Sequence, residues 1–160
     1  MKKAVDPEDR KSAQKKALTL LKDRDYTEER LRKKLLDSGY SAETAEETLQ
    51  WAKEHRFVDD AIYCRLYIEQ QSSKKSRLRM KADLMGRGVS RDVVEEALSS
   101  IPDEGGELEA AVEKLRSRRY RPDETDPGYI QKTAAYLFRQ GFSGEVIRKA
   151  MSLDTDSYVN

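Results

Sequence analysis

The 160-residue chain is poor in the residues that usually carry chemistry. It has one cysteine, one histidine and one tryptophan, and only four prolines and eight glycines. A single Cys64 excludes an internal disulfide framework and fits a reducing, intracellular setting. Cys64 falls on an inward helical face between Tyr63 and Tyr67, so it reads as a small core residue and not an exposed thiolate. His55 stands at a helix end beside Arg56 and reads as a C-terminal cap. A nucleophile needs a base beside it, and these two residues do not make such a pair. CxxC, HExxH, GxxxxGK[ST] and GxGxxG are all missing, so neither a metal signature nor a phosphate loop is visible. No enzyme, cofactor or metal is expected. No apolar run reaches 18 residues, so no membrane span is expected. The start, MKKAVDPEDR, lacks the apolar stretch of a secretory signal, which points to the cytoplasm.

What the chain does have is a pattern written three times. Lys74 to Leu98 reads KKSRLRMKADLMGRGVSRDVVEEAL. Met80, Leu84 and Met85 put apolar groups on one helical face. Gly86 and Gly88 follow, where a helix end needs a residue tolerant of positive φ. Ser90 is a good N-cap, flanked by Val89 and Val94 at staple spacing. The same order appears at Leu31, Leu35, Leu36, Gly39, Tyr40 and Ser41, and again at Thr133, Leu137, Phe138, Gly141, Phe142 and Ser143. Gly39, Gly88 and Gly141 lie 49 and 53 residues apart. An earlier helix repeats too: Ala17 and Leu21 match Cys64 and Ile68, then Ala111 and Leu115, at intervals of 47. The pattern predicts an all-α chain of three three-helix repeats, at about 8–57, 58–102 and 106–152.

Taken in order, Met1 to Val5 should fray. Asp6 and Pro7 read as N-cap and N1 of a helix running to about Arg24. Thr27 caps the second helix, and the third runs from about Ala42 to Lys53–Arg56, with Trp51 as a lid on its core. Phe57-Val58-Asp59-Asp60 leads into a helix over 61–71 that Asp60 caps, with Ile62, Tyr63, Cys64, Tyr67 and Ile68 inward. IPDEGG, 101–106, is a linker. A helix over about 108–119, the loop 121–128 and a restart at Asp126-Pro127 follow. Leu153 to Asn160 reads as a polar, disordered tail.

Net charge is only +1, but its distribution is uneven. Seven bases and one acid lie between Ser72 and Arg91, and five bases with no acid between Lys114 and Arg121. Seven acids and no base lie between Asp92 and Glu109. These blocks are either solvated helix faces or a basic stripe gathered by the repeat.

Three stretches together resemble the RecX family of bacterial RecA regulators: ALTLLKDRDYTEERLRKKL (17–35), FVDDAIYCRLYI (57–68) and SRLRMKADLMGRGVSRDVVEEAL (76–98). The likeness lies in their order and spacing and covers about Gln14 to Leu153. The resemblance implies an elongated, curved, right-angled or crescent array of three-helix repeats. It implies binding to the RecA–single-stranded DNA filament, with weaker binding to double-stranded DNA. Inhibition of recombinase, ATPase and co-protease functions in repair and the SOS response would follow, by a protein expected to be monomeric and without enzymatic activity or cofactor.

No contact residue carries over from the resemblance, so the candidate interface rests on charge. It comprises Lys74, Lys75, Arg77, Arg79 and Lys81 on one basic helix, extended by Arg116, Arg118, Arg119 and Arg121. Arg77 and Lys81, at i and i+4, are the first choice as a pair whose reversal should leave melting nearly unchanged. Two other readings remain open. One is a stand-alone helical DNA-binding module, although the closing helices begin AET, RDV and GEV, poor in groove-reading residues. The other is a helical-repeat adaptor for an unrelated protein.

Overall fold

Amphipathic stripes at helical spacing, each closed by a cap, leave no alternation from which a strand could form. The computed structural model describes residues 4–102 and 106–152, and none of these is in a strand. Residues 103–105 of the expected linker 101–106, the first three residues and the tail from 153 lie outside the described residues. The described helices are α1 (Arg10–Asp23), α2 (Glu28–Asp37), α3 (Ala42–Glu54), α4 (Asp60–Gln71), α5 (Arg77–Gly86), α6 (Arg91–Ser99), α7 (Gly106–Ser117), α8 (Pro127–Arg139) and α9 (Gly144–Ser152). They form three tandem three-helix repeats.

The chain divides into two compact units. The first is Met1–Arg65 with Leu84–Val94, and the second is Leu66–Asp83 with Glu95–Asn160. In the first unit α1 packs on α3, and Ala13 and Ala17 are fully buried where the small side chain lets the helices close up. Leu31, Leu35, Tyr40 and Leu49 complete that core, with Trp51 half-buried over it as expected. In the second unit α7 packs on α9 through Ala110, Ala111 and Ala150, and Leu115, Leu137 and Phe142 fill the centre.

Every repeat ends its second helix in the same way. The N–H groups of Tyr40, Val89 and Phe142 bond the carbonyls of Leu35, Leu84 and Leu137, all at 3.2 Å, across Gly39, Gly88 and Gly141 at φ 102°, 88° and 96°. This is the Schellman closure, in which the apolar residues at either end of the long bond bury together. Two arginines occupy the same left-handed position without the freedom of glycine: Arg56 (φ 58°) after α3 and Arg119 (φ 56°) after α7.

The caps of the second helices reach further than their own turn. Thr27 Oγ1 accepts from Arg30 N and donates to the Arg87 carbonyl at 2.7 Å. Ser76 Oγ does the same in the second unit, accepting from Arg79 N and donating to the Gln140 carbonyl at 2.9 Å. A second bond lies beside each. The first N–H of α2, Glu28, donates to Asp60 Oδ1 at 2.9 Å, and the first N–H of α5, Arg77, donates to Glu107 Oε1 at 3.3 Å. Each junction between successive repeats is therefore a pair of hydrogen bonds at one helix N-terminus. Gly88 and Gly141 lie so close to it that an added Cβ would come within 2.4 Å of Glu29 Cβ and 2.6 Å of Ser76 Oγ.

Several expectations are corrected. Asp6-Pro7 forms a turn, with Asp6 Oδ1 accepting from Glu8 N, and Asp9 caps α1 through Ser12 N, because its carboxylate is the one facing the open N–H groups. Asp59, not Asp60, caps α4 by accepting from Ala61 N and Ile62 N; Asp60 is taken by the junction with α2. Burial raises the Asp60 carboxyl above its usual range, and the Glu28 N–H opposes that shift. Ile62 is 41% exposed, since it lies two residues off the stripe of Cys64, Tyr67 and Ile68. Leu36 and Phe138, one residue past the buried Leu35 and Leu137, point outward as well, at 41% and 72% exposed.

Thr27→Val keeps the shape of Thr27 but removes both of its hydrogen bonds, so it should lower stability by about 2 kcal/mol. Thr27→Ser should stay close to the parent. Urea denaturation followed by circular dichroism measures both, and an unchanged midpoint for Thr27→Val would deny the junction any stabilising role.

Candidate nucleic-acid interface

The nine charge-selected residues do not share one environment. Lys74 and Lys75 precede α5 and lie in the turn after α4, not on the helix. Lys75 Nζ contacts Asp83 Oδ2 at 2.8 Å and the Tyr67 hydroxyl at 3.1 Å, and the Tyr67 hydroxyl donates to the same carboxylate at 2.6 Å. Arg79 joins Asp83 at 3.3 Å. Burial pushes the Asp83 carboxyl up, but the bonds from Lys75 and Tyr67 and the two nearby cations outweigh it, and the group sits below the usual carboxylate range. The bond to Asp83 holds Lys75 above its ordinary value.

Arg77 and Lys81 are both committed to the protein. Arg77 Nη2 donates to the Leu98 carbonyl at 2.5 Å, satisfying the open C-terminus of α6. Lys81 Nζ pairs with Glu95 Oε1 of α6 at 2.8 Å. Reversal of this pair would therefore break two attachments of α6, and the expected indifference of melting to that change is withdrawn. Arg116 pairs with Glu113 at 2.6 Å, and Arg121 with Glu124 at 3.1 Å. The Arg118 guanidinium lies 3.8 Å from the centre of the Tyr136 ring. Arg119 is exposed at its left-handed turn. Lys74 and Arg116 do meet: both line a 420 Å³ cavity of the second unit, together with Glu109 and Glu113.

A more strongly basic cavity, of 540 Å³, lies in the first unit and was not selected by charge density. Arg24, Arg30, Lys33, Lys34 and Arg87 line it, with Asp25, Asp37, Tyr26 and Tyr63. Arg24 is the C-cap of α1, and Arg30, Lys33 and Lys34 follow the i, i+3, i+4 spacing of one face of α2. Arg87 comes from the Gly88 turn and donates from Nη1 to the Tyr63 hydroxyl at 2.7 Å. The available signal was the helical spacing of three bases in RLRKK, hidden because Glu28 and Glu29 lower the local charge.

The remaining reactive residues are structural. Cys64 is fully buried, and that burial, with a contribution from the Asp60 charge, pushes its thiol up to about 11. His55 is the C-cap of α3, its Nδ1 2.9 Å from the Trp51 carbonyl, and its ring packs with Trp51 and Phe57. Among the described residues no helix is long and apolar enough to cross a membrane.

Three family models match the chain in order: RecX, first three-helix domain, at residues 13–51; second three-helix domain, at 59–98; and third three-helix domain, at 107–151. This chain belongs to the RecX family. Regulatory protein RecX of Caldanaerobacter subterraneus subsp. tengcongensis is 33% identical over 144 residues, which cover 89% of this chain and 71% of that protein. Regulatory protein RecX of Trichlorobacter lovleyi is 30% identical over 138 residues, covering 83% and 89%. A crystal structure of RecX from Lactobacillus salivarius has the same fold, with a TM-score of 0.76 at 21% identity, covering 89% of this chain and 94% of that one. The relatives are regulatory proteins by name, and a regulatory role follows from this membership.

The Asp83 cluster sets a pH dependence. Its folded pKa is depressed, so the unfolded chain takes up the proton first as pH falls. The stabilisation is present above the ordinary carboxylate value of about 3.9 and is lost as pH falls through the lower folded value. Asp83→Asn should therefore lower the urea midpoint at neutral pH, and the gap from the parent should shrink steadily as the titration is taken into acid. A gap of constant size would mean that packing, not charge, explains the loss.

Proposed function

We propose that this RecX-family chain binds the RecA–single-stranded DNA filament in the cytoplasm and inhibits strand exchange, ATPase and co-protease functions. The observation that carries the reading is the match of all three RecX domains, in order, along the described repeats. The repeats are assigned to 8–57, 58–102 and 106–152, and the active species is a monomer that needs no cofactor and performs no catalysis.

The placement of the bases supports a division of labour within this reading. Lys74, Arg79, Arg116, Arg118, Arg119 and Arg121 keep exposed side chains and are assigned contacts with the filament. Lys75, Arg77 and Lys81 are assigned to holding the second unit together, given their bonds to Asp83, the Leu98 carbonyl and Glu95. Exposed ion pairs are worth little on their own, about 0–1 kcal/mol, so the first group can exchange its partners for phosphates at small cost.

The chain titrated into preformed RecA filaments should reduce DNA-stimulated ATP hydrolysis, and less so as salt rises. An unchanged ATPase rate at saturating chain, under conditions where filaments are intact, would reject this reading.

A further inference from the structure

We propose that the cavity of the first unit, between α1, α2 and the Gly88 turn, is an anion site that seats the phosphodiester backbone of a single-stranded nucleic acid. The inference rests on the filament-binding reading for its choice of ligand, and on the first unit alone for its geometry.

Five cations face two carboxylates around the 540 Å³ cavity. Arg24, Arg30, Lys33 and Lys34 make no ion pair among the described residues. The contrast with Arg32 on the same helix is informative. Arg32 lies between Glu29 and Glu46, with 2.9 Å to Glu46, and those contacts raise its pKa despite partial burial. α2 thus neutralises one basic residue and leaves the 30, 33, 34 face bare. That face is unfavourable for the helix by itself. Arg30 repels Lys33 and Lys34 at one-turn spacing, and Arg30 also sits in the first turn, at the positive end of the helix dipole. Local conflicts of this kind are expected where a site, and not the fold, selects the residues.

Arg87 is held at both ends. Its carbonyl accepts from Thr27 Oγ1, and its guanidinium is fixed on Tyr63 by the 2.7 Å bond and lies 5.9 Å from the centre of the ring. A guanidinium oriented in advance loses little freedom on meeting an oxyanion. The lysines on the exposed face of α2 supply mobile charge around it. The volume exceeds what one ion needs and lies in the range of about 300–1,000 Å³ typical of molecular ligands. Tyr63 stands half-buried among the bases, and such a mixture follows a nucleic-acid strand, phosphates on the cations and sugar or base against the ring, whereas Tyr26 belongs to the core. An acidic polypeptide offers charge of the same sign but has less use for the ring.

The test is fluorescence anisotropy of labelled oligothymidylate with the full chain across a salt series. Lys33→Gln with Lys34→Gln removes two charges from exposed helical positions using a good helix former. Lys132→Gln with Arg148→Gln removes the same charge from exposed positions of the second unit. The cavity variant should bind about tenfold more weakly at about 0.1 M salt, with a log–log salt slope smaller by about 1–2, while the control stays near the parent. Arg24→Gln, outside α2, should reduce the slope by about 1. Circular dichroism melts of the variants should be no lower than the parent's, with the cavity variant slightly higher because repulsion by Arg30 is relieved. Equal affinity and slope for the cavity and control variants overturns the site. So does a cavity variant that loses labelled polyglutamate but keeps oligothymidylate, because the occupant is then an acidic polypeptide. The RecA ATPase assay, run in parallel, separates the two readings. A silent cavity variant in a chain that still suppresses ATP hydrolysis removes the cavity alone. A parent with no effect on RecA removes the filament reading, and the oligonucleotide titration still decides the cavity.

Discussion

A buried hydroxyl at the N-terminus of a helix holds successive repeats together. Thr27 and Ser76 each accept from their own helix and donate to the carbonyl that precedes the next repeat's left-handed glycine. Only a group with both a proton and lone pairs can do this, which is why serine or threonine stands at both places. A three-helix unit of some fifty residues buries too little surface to be secure by itself. Bonds from one repeat's cap to the next repeat's turn, each inside one compact unit, therefore make the repeats cooperative neighbours. The equivalent cap in the third repeat, Asp126, is a carboxylate that can only accept when ionised, and it makes the local bond to Tyr129 N at 3.2 Å.

Local grammar made the fold readable in advance. Gly39, Gly88 and Gly141, the caps Thr27, Ser41, Ser90, Ser143 and Asp126, and the stripes between them are short-range signals, and each has a short-range cause. The misreadings come where two residues compete for one local role. Asp6 and Asp9 are both acceptable caps, and so are Asp59 and Asp60; the losing carboxylate accepts from another N–H, a local one at Glu8 for Asp6 and a distant one for Asp60. Asp60 is drawn away by Glu28 N, 32 residues earlier in the chain. Phe138 was read inward because Leu137-Phe138 looks like Leu35-Leu36, but in both pairs only the first residue closes the Schellman turn and is buried.

The basic interface was much less legible, because charge density along the chain says nothing about tertiary partners. The richest run, 74–81, proved to be the most heavily bonded: Asp83 takes Lys75 and Arg79, Glu95 takes Lys81, and the end of α6 takes Arg77. The run 30–34 looked ordinary beside two glutamates, yet one of those acids leaves the run and the other takes only Arg32 within it. Glu28 reaches Lys53 at 3.5 Å and Glu29 reaches Arg32. A sequence window averages over the helix faces that the fold separates.

The internal repeat itself sorts structural bases from the rest. α2 and α5 correspond at an interval of 49, and so do α3 and α6. Under that shift the Arg32–Glu46 bridge becomes the Lys81–Glu95 bridge, the same ion pair between second and third helices, at 2.9 Å and 2.8 Å. A contact present in both repeats serves the architecture they share. Lys33 and Lys34 map instead to Ala82 and Asp83, and in the second unit that acid holds Lys75 and Arg79 on one carboxylate. The same helical face thus carries no acid among its bases in one repeat and a carboxylate shared by two bases in the next. Packing cannot account for this difference, because the buried positions on the two helices, Leu31 and Leu35 against Met80 and Leu84, are alike. Two of the diverging side chains, Lys33 and Lys34, line one cavity, and it is there that the first repeat departs from a plain structural unit.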